Sequence, residues 1–425
     1  MLKTSQVYLL LFSLYWAQGL PVGFMTHALP VILRAQGVSL AHIGGFGLLM
    51  APWAMKILWA PWVDGIGHSK IGHFRSWILP TQALTVAILI ILSFLPIQAL
   101  NEPLYLLMFF IALLCLNIVG ATQDIATDGL AVSILKGDQQ HWGNMFQVVG
   151  SRLGFIVGGG AILWALDWLN WQSTFLILAV IVLINTIPVL FFQEPLHAVS
   201  EKSKSIEPES QGKSPIALDH WIQSYLRYFL QNKTMQWWLI VLCSIKIADG
   251  LSGPIIKPLL VDLGLSLSQI GIYVTMLGAL AALFGAGLAS IVLKYLQRST
   301  ALLLFSMFKI ISMAGFAWLA VQHQTGISIK PWMIYSINAL EDMFASMLLV
   351  VILTLVMQYS RKSHAGTDFT FQVSVMATVS GGLYTISGII GDYLGYQNYL
   401  MLIILIAAVF LIPIWQWKNS LMKFK

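Results

Sequence analysis

The chain has 425 residues, of which 58% are hydrophobic and only 9% charged. Soluble proteins carry roughly 25% charged residues, so this composition excludes a water-soluble domain and requires a bilayer as solvent. The formal charge of +6 is small for this length and excludes the basic footprint of a nucleic-acid binder.

The first apolar run starts after Lys3 and continues to Leu33 without a small-residue cleavage site, so it reads as a first span and not as a signal peptide. A spanning helix needs about 20 mostly apolar residues. On that measure the first six helices are expected over 6–34, 41–62, 76–98, 104–134, 142–166 and 171–193. The second six are expected over 236–262, 265–292, 299–321, 331–359, 368–391 and 396–417. Between the sets, 194–235 turns polar, with Glu201, Lys202, Lys204, Glu207, Glu209 and Lys213, a composition that suits a flexible linker. Within it, Ile216, Trp221, Ile222, Tyr225, Leu226, Phe229 and Leu230 recur at helical spacing. They form either an amphipathic helix on the membrane surface or an extension of the seventh span. The expected organisation is a six-helix bundle over 1–193, a cytoplasmic linker over 194–235 and a second six-helix bundle over 236–425.

The two halves echo each other. Gly37-Val-Ser-Leu-Ala-His-Ile-Gly44 returns as Gly264-Leu-Ser-Leu-Ser-Gln-Ile-Gly271. Phe146-Gln147-Val148 returns as Phe371-Gln372-Val373, and Asp167-Trp-Leu-Asn-Trp-Gln172 as Asp392-Tyr-Leu-Gly-Tyr-Gln397. Three matches in one order at nearly one offset mean that the second half repeats the first. An all-α membrane protein of twelve helices in two pseudo-symmetric six-helix bundles is the plan of a secondary transporter that rocks around a central site.

Basic residues orient the chain. An even helix count puts both termini on one side, and that side collects sixteen Lys and Arg, whereas the other holds only Arg34 and Lys330. The positive-inside rule makes the sixteen cytoplasmic. Five basic residues are left within spans: Lys56, Arg152, Lys246, Lys257 and Lys309. The acids within spans are Asp124 and Asp128 on helix 4, Asp249 on helix 7, and Glu341 and Asp342 on helix 10. Each costs about 2.5–3.5 kcal/mol at mid-helix, so each is expected to face a polar cavity or a partner.

Asp124 and Arg152 both lie about 15 Å from the cytoplasmic end of their helices, and Asp124 and Asp128 share a face at i, i+4. An Arg152–Asp124/Asp128 pair is therefore expected, either as a proton or gate site or as a structural ion pair. Glu341 and Asp342 are adjacent, so one is expected to line a cavity and the other to pair with Lys246 or Lys309. A carboxylate at that depth can take up a proton, which makes the second-half acids candidates for coupling. Lys257 stands between Pro254 and Pro258, and helix 1 carries Gly19, Pro21, Gly23 and Pro30. Pro removes a backbone donor, so these residues read either as bends near the centre of helices 1 and 7 that would suit gating or as the Gly and Pro common in membrane helices. His27, also on helix 1, reads as a hydrogen-bonded pore or core histidine or as a titrating relay. Cys115 and Cys243 lie in apolar runs, which argues against a disulfide or a thiolate metal site.

Lys56-Ile-Leu-Trp-Ala-Pro-Trp-Val-Asp64, Gln123-Asp124-Ile-Ala-Thr-Asp128 and Arg152-Leu-Gly154 resemble the AmpG-related branch of the major facilitator superfamily. That branch includes AmpG-type muropeptide permeases, acetyl-CoA transporters and RhtX/FptX-type siderophore importers. The resemblance implies two six-helix bundles, no cofactor, and the proton gradient as energy source. The chain length is more similar to the siderophore importers, which makes a ferric siderophore the first expected solute and a muropeptide the second. Asp64 and Arg75 match the acidic and basic ends of the superfamily's loop 2–3 signature, while Gly65-Ile-Gly-His-Ser-Lys-Ile-Gly-His73 replaces its usual middle. Lys56, Asp64 and Arg75 are the gating candidates by this resemblance, and an Asp64 contact to a helix end is expected. The substrate and proton pathway is expected among His27, Gln123, Asp124, Asp128, Arg152, Lys246, Asp249, Lys257, Glu341 and Asp342. Helix 5 lacks the Pro of the antiporter signature, which favours import.

Other classes find no support. There is no HExxH or CxxC for a membrane enzyme, and Gly212-Lys213-Ser214 lacks the first Gly and the strand of a P-loop. A non-transporting receptor has no use for intramembrane acids. The expected partners are a small-molecule substrate and the lipid bilayer, with no nucleic acid and no metal. A monomer in a bacterial inner membrane is the expected state.

Overall fold

Lipid offers the backbone no hydrogen-bond partner, so a chain this apolar must satisfy its amides within helices. The computed structural model describes residues 4–29, 32–33, 46–68, 70–95, 102–166, 169–194, 227–266 and 269–422, and these are nearly all helical. The chain divides into two units. Unit 1 is Met1–Ile206 with Met357–Phe371, and unit 2 is Glu207–Val356 with Gln372–Lys425.

In unit 1, α1 runs Thr4–Gly23 and continues through a π turn at Phe24–Ala28. Pro21 sits one turn before it, and the missing N–H explains the widened turn. Helix α2 (46–65) is four short pieces: Phe46–Met50, Ala51–Met55, Lys56–Leu58 and Ala60–Gly65, of which the first and third are 3₁₀. Helix α3 is Arg75–Phe94, α4 is Pro103–Ile134, and α6 is Trp171–Phe191. Helix α5 (139–166) passes from Gln139–Phe155 through a π segment at Ile156–Ala161 to Ile162–Leu166. Pro103 opens α4 at a position where a missing N–H costs nothing. Asn170 caps α6 by accepting from the Ser173 N–H at 2.8 Å. The apolar core of unit 1 gathers Leu20, Phe24, Phe109, Leu113, Phe175 and Leu178.

In unit 2, α7 is Lys233–Ser244 followed by Ile247–Asp262, and α8 (270–295) begins with a π segment at Ile270–Met276. Helix α9 is Arg298–Gln324 and α10 is Pro331–Gln358. The run Ala365–Val409 is two helices, α11 and α12, meeting at Gly395, whose φ of 72° favours glycine. Its core gathers Leu259, Phe316, Leu319, Tyr399, Leu400 and Ile403.

The helices expected from sequence are found in order. Among the described residues ten are long and apolar enough to cross a membrane. The other two are α2, whose apolar stretch Leu48–Leu58 is short, and α5, whose first half carries Gln139, Gln140, His141, Asn144, Gln147 and Arg152. The break in α7 falls at Ile245 and Lys246, ahead of Pro254 and Pro258, which stay inside a helix. The Gly37–Gly44 echo and most of the expected amphipathic helix lie outside the described residues; 227–230 are helical.

Glycine sets how closely α1 and α5 approach. A Cβ on Gly19 would stand 2.6 Å from the Ser151 carbonyl, and one on Gly154 would stand 2.5 Å from the Gly19 Cα. Unit 2 has the same device, since a Cβ on Gly250 would stand 2.6 Å from the Ser380 carbonyl.

Candidate functional site

Unit 1 holds a buried cluster of one cation and two acids. The 3₁₀ winding of α2 at Lys56–Leu58 matters here. Trp53, Lys56 and Trp59, three residues apart across this tight turn, form one row by their contacts. The row faces α4: the Trp53 indole N–H donates to Asn117 Oδ1 at 2.8 Å, Lys56 Nζ pairs with Asp124, and the Trp59 indole N–H donates to Thr122 Oγ1 at 3.1 Å. Lys56 is 3% exposed, so its charge depends on that partner. One turn on, Asp128 is 2% exposed. Its Oδ1 accepts from the Tyr15 hydroxyl of α1 at 2.7 Å and from Gln147 Nε2 of α5 at 3.3 Å. Asp124 and Lys56 are its charged neighbours.

The expected Arg152–Asp124/Asp128 pair does not form. Arg152 is half-buried on α5 and makes no ion pair among the described residues, and Lys56 is the cation that Asp124 finds. Equal depth on two helices fixes height, not the direction in which each side chain points. Tyr15 and Gln147 were not marked as partners by the sequence. Gln147 carried a signal all the same, as the centre of the repeated Phe-Gln-Val triplet. Its repeat mate Gln372 is a fully buried anchor in unit 2, accepting from the Trp238 indole N–H at 2.7 Å.

Beside this cluster lies a small cavity with a neutral lining that includes Gln18, Trp53, Thr85, Asn117 and Gln123. Gln123 is 3% exposed and its Nε2 has no hydrogen-bond partner among the described residues.

Of the gating candidates Lys56 belongs to this cluster, whereas Asp64 sits at the other end of α2 and Arg75 at the start of α3. Asp64 accepts from the Gly366 N–H at 3.1 Å, the Thr367 N–H at 2.6 Å and the Thr367 hydroxyl at 2.5 Å. It therefore caps the first turn of α11, and that turn, unlike the rest of the helix, belongs to unit 1. The Arg75 guanidinium donates to the carbonyls of Ile71 at 2.9 Å and Leu190 at 3.1 Å. Glu194, just past α6, is a residue the sequence reading missed. Its carboxylate accepts from the N–H groups of Phe74 at 3.0 Å and Arg75 at 3.3 Å, which neutralises the start of α3. An acid one residue beyond the expected end of helix 6 was the available signal.

Unit 2 holds a balanced chain of four charges. Lys246 pairs with Asp249 at 2.6 Å, Asp249 with Lys309 at 3.1 Å, and Lys309 with Glu341. Lys246 and Asp249 are each about a quarter exposed (24% and 23%), so this chain is wetter than the unit 1 cluster. Asp342, next to Glu341, points elsewhere: its Oδ2 accepts from Asn338 Nδ2 at 2.9 Å. One acid thus pairs with Lys309 as expected, and the other turns to an amide. Lys257 is exposed on α7 and makes no ion pair among the described residues, so the structure does not bring it into this chain. His27 lies in the π turn of α1, and its side chain is outside the described residues. Cys115 and Cys243 are both free thiols.

The comparisons with known proteins agree with this architecture. The family model described as acetyl-coenzyme A transporter 1 matches residues 6–167. The anhydromuropeptide permease of Escherichia coli K12 is 27% identical over 376 residues, covering 87% of this chain and 71% of that one. The putative transporter AmpG 4 of Rickettsia conorii is 23% identical over 405 residues, covering 93% of each. Among solved structures, the bacterial ferroportin homologue in its outward-facing state superposes with a TM-score of 0.70 at 15% identity, covering 98% of this chain and 100% of that one. The outward conformation of the transporter FucP gives 0.66 at 14% identity, covering 96% and 97%. The structural neighbours show the fold, and the sequence relatives share the branch to which the three motifs point. This chain is a multi-pass secondary transporter with the major facilitator fold, and over most of its length it is similar to AmpG-type permeases.

Proposed function

We propose that the chain imports a muropeptide-type solute across a bacterial inner membrane, driven by the proton gradient, with both termini in the cytoplasm. The solute class follows the named relatives, in particular the anhydromuropeptide permease. The siderophore reading rested on chain length, and these relatives lend it no support. The likeness to a ferroportin homologue, at 15% identity, speaks to fold alone. The orientation rests on the sixteen-to-two division of basic residues.

The observation that carries coupling is the charge count in unit 1, where Asp124 and Asp128 share one ammonium, Lys56. In unit 2 the chain Lys246–Asp249–Lys309–Glu341 has two of each sign. A single proton on Asp128 would make the first cluster neutral too. Asp128 is therefore the proton carrier in this reading, while Glu341, with Lys309 against it, keeps a structural or solute-facing role.

The test is uptake of labelled anhydromuropeptide into proteoliposomes with an imposed pH gradient. Asp128→Asn should abolish accumulation and preserve exchange of solute at equal pH, because an asparagine keeps acceptor and donor positions but cannot release a proton. Wild-type accumulation that ignores the pH gradient, or full accumulation by Asp128→Asn, would overturn the coupling assignment.

A further inference from the structure

The four charges of unit 2 form a row with a dry end and a wet end. Lys309 lies between Glu341 and Asp249, and Asp249 lies between Lys309 at 3.1 Å and Lys246 at 2.6 Å. Lys309 and Glu341 are largely buried, whereas Lys246 and Asp249 keep an open side. Lys246 is the residue at which α7 breaks, and Asp249 follows three positions on, so the two share one face. Hydrocarbon does not tolerate a charged surface, so the open side of this pair meets water. That side has unused capacity. An ammonium has three donors, and Lys246 gives one of them to Asp249 Oδ2. A carboxylate has about four acceptor positions, and the two lysines take one on each oxygen of Asp249.

We infer that the Lys246–Asp249 pair binds an amino-acid zwitterion, an ammonium and a carboxylate on one carbon, and so holds a residue of the solute's peptide portion, an inference that rests on the muropeptide-type reading above. The zwitterion's carboxylate accepts from the spare donors of Lys246, and its ammonium donates to the spare positions of Asp249. Charge count selects this class. The row is balanced, with two charges of each sign. A lone carboxylate would leave it at minus one and a lone ammonium at plus one, and either is an uncompensated charge within the membrane. A zwitterion leaves the balance as it was. Geometry selects it too. The opposite charges of the pair are neighbours at 2.6 Å, so those of the ligand must be neighbours as well. The dry end of the row has its own part in this. With Lys309 on its other oxygen, Asp249 stays paired when Lys246 turns toward a ligand, and Glu341 balances Lys309 in return. An isolated Lys–Asp pair would strand a charge at that moment.

The experiment is a ligand-observed NMR titration of the purified full-length protein at neutral pH, with D- and L-alanine, N-acetylalanine and alaninamide as probes. The better-bound alanine enantiomer should bind at least about tenfold more tightly than N-acetylalanine, which lacks the ammonium, and than alaninamide, which lacks the carboxylate. Lys246→Gln, checked for folding by thermal melting, should bring alanine and alaninamide to equal affinity. If it does not fold, Asp249→Asn should bring alanine and N-acetylalanine to equal affinity. No alanine binding, equal or tighter binding of either derivative, or an unchanged preference in the folded variant would overturn the inference and leave the pair a structural ion bridge. Failure of anhydromuropeptide uptake with the alanine preference intact would strike the muropeptide reading and leave the zwitterion site standing. Uptake without that preference would strike the site alone.

Discussion

At the scale of single residues, the buried Lys56–Asp124 pair is the most consequential contact in unit 1. Removing one partner strands the other charge at 3% exposure, and stranded charges cost about 3–5 kcal/mol. Asp124→Ala should therefore destabilise the purified protein by that order in thermal or denaturant unfolding. The double change Lys56→Met with Asp124→Leu should recover part of the loss, because matched apolar groups need no counter-charge while Asp128 loses its cationic neighbour. Additive losses in the double variant would show that the two side chains act separately. The site's acids were legible in the sequence because a carboxylate inside an apolar helix is conspicuous. Their partners were less so. Lys56 sits in a 3₁₀ turn that no periodicity announces, and Tyr15 looks like any aromatic near a membrane. Arg152, at the right height, makes no ion pair with the acids.

At the scale of elements, the α1–α5 contact depends on absent side chains. Gly154→Ala would place a Cβ 2.5 Å from backbone that cannot yield. A cost of about 1–3 kcal/mol or more is expected, with lower expression and a lower melting temperature. Gly160→Ala is the control, since nothing lies within 4 Å of its Cβ position. Removing a helix glycine there should be neutral or stabilising by about 0.5–1 kcal/mol. Equal effects of the two substitutions would remove close approach as the reason for the glycines. The bend in α1 was legible, since Pro21 precedes the π turn. The break in α7 was not, because it occurs at Lys246, where the sequence offers neither Gly nor Pro.

At the scale of the whole molecule, the internal repeat and the order of the helices could be read directly from the chain. What could not be read was the division of labour between the halves. Trp53 and Asn117 stand 225 residues before Gly278 and Asp342. The first pair is an indole bonded to an amide. In the second, the glycine leaves room for the carboxylate of Asp342. At these positions unit 1 has a neutral contact and unit 2 an acidic one, which no count of spans reveals. The proposed topology makes its own prediction: a cysteine placed at Ser200, in the 194–235 linker, should resist an impermeant thiol reagent applied to intact cells. Ready labelling from outside would invert the orientation.

The broken helix α2 has exchanged part of its backbone ladder for three side-chain stitches to α4. Continuous helices protect their amides cooperatively, whereas short 3₁₀ and α pieces open one at a time. Deuterium should therefore enter 46–65 well before it enters 75–94. Cutting a stitch should speed that clock locally: Asn117→Ala should accelerate exchange in 46–65 and leave 75–94 unchanged. Uniform protection of the two segments, or a change spread evenly through unit 1, would mean that α2 is as stiff as its neighbours. If the clock runs as expected, α2 is the compliant strip of its unit, and its stiffness is set by the side chains that tie it down.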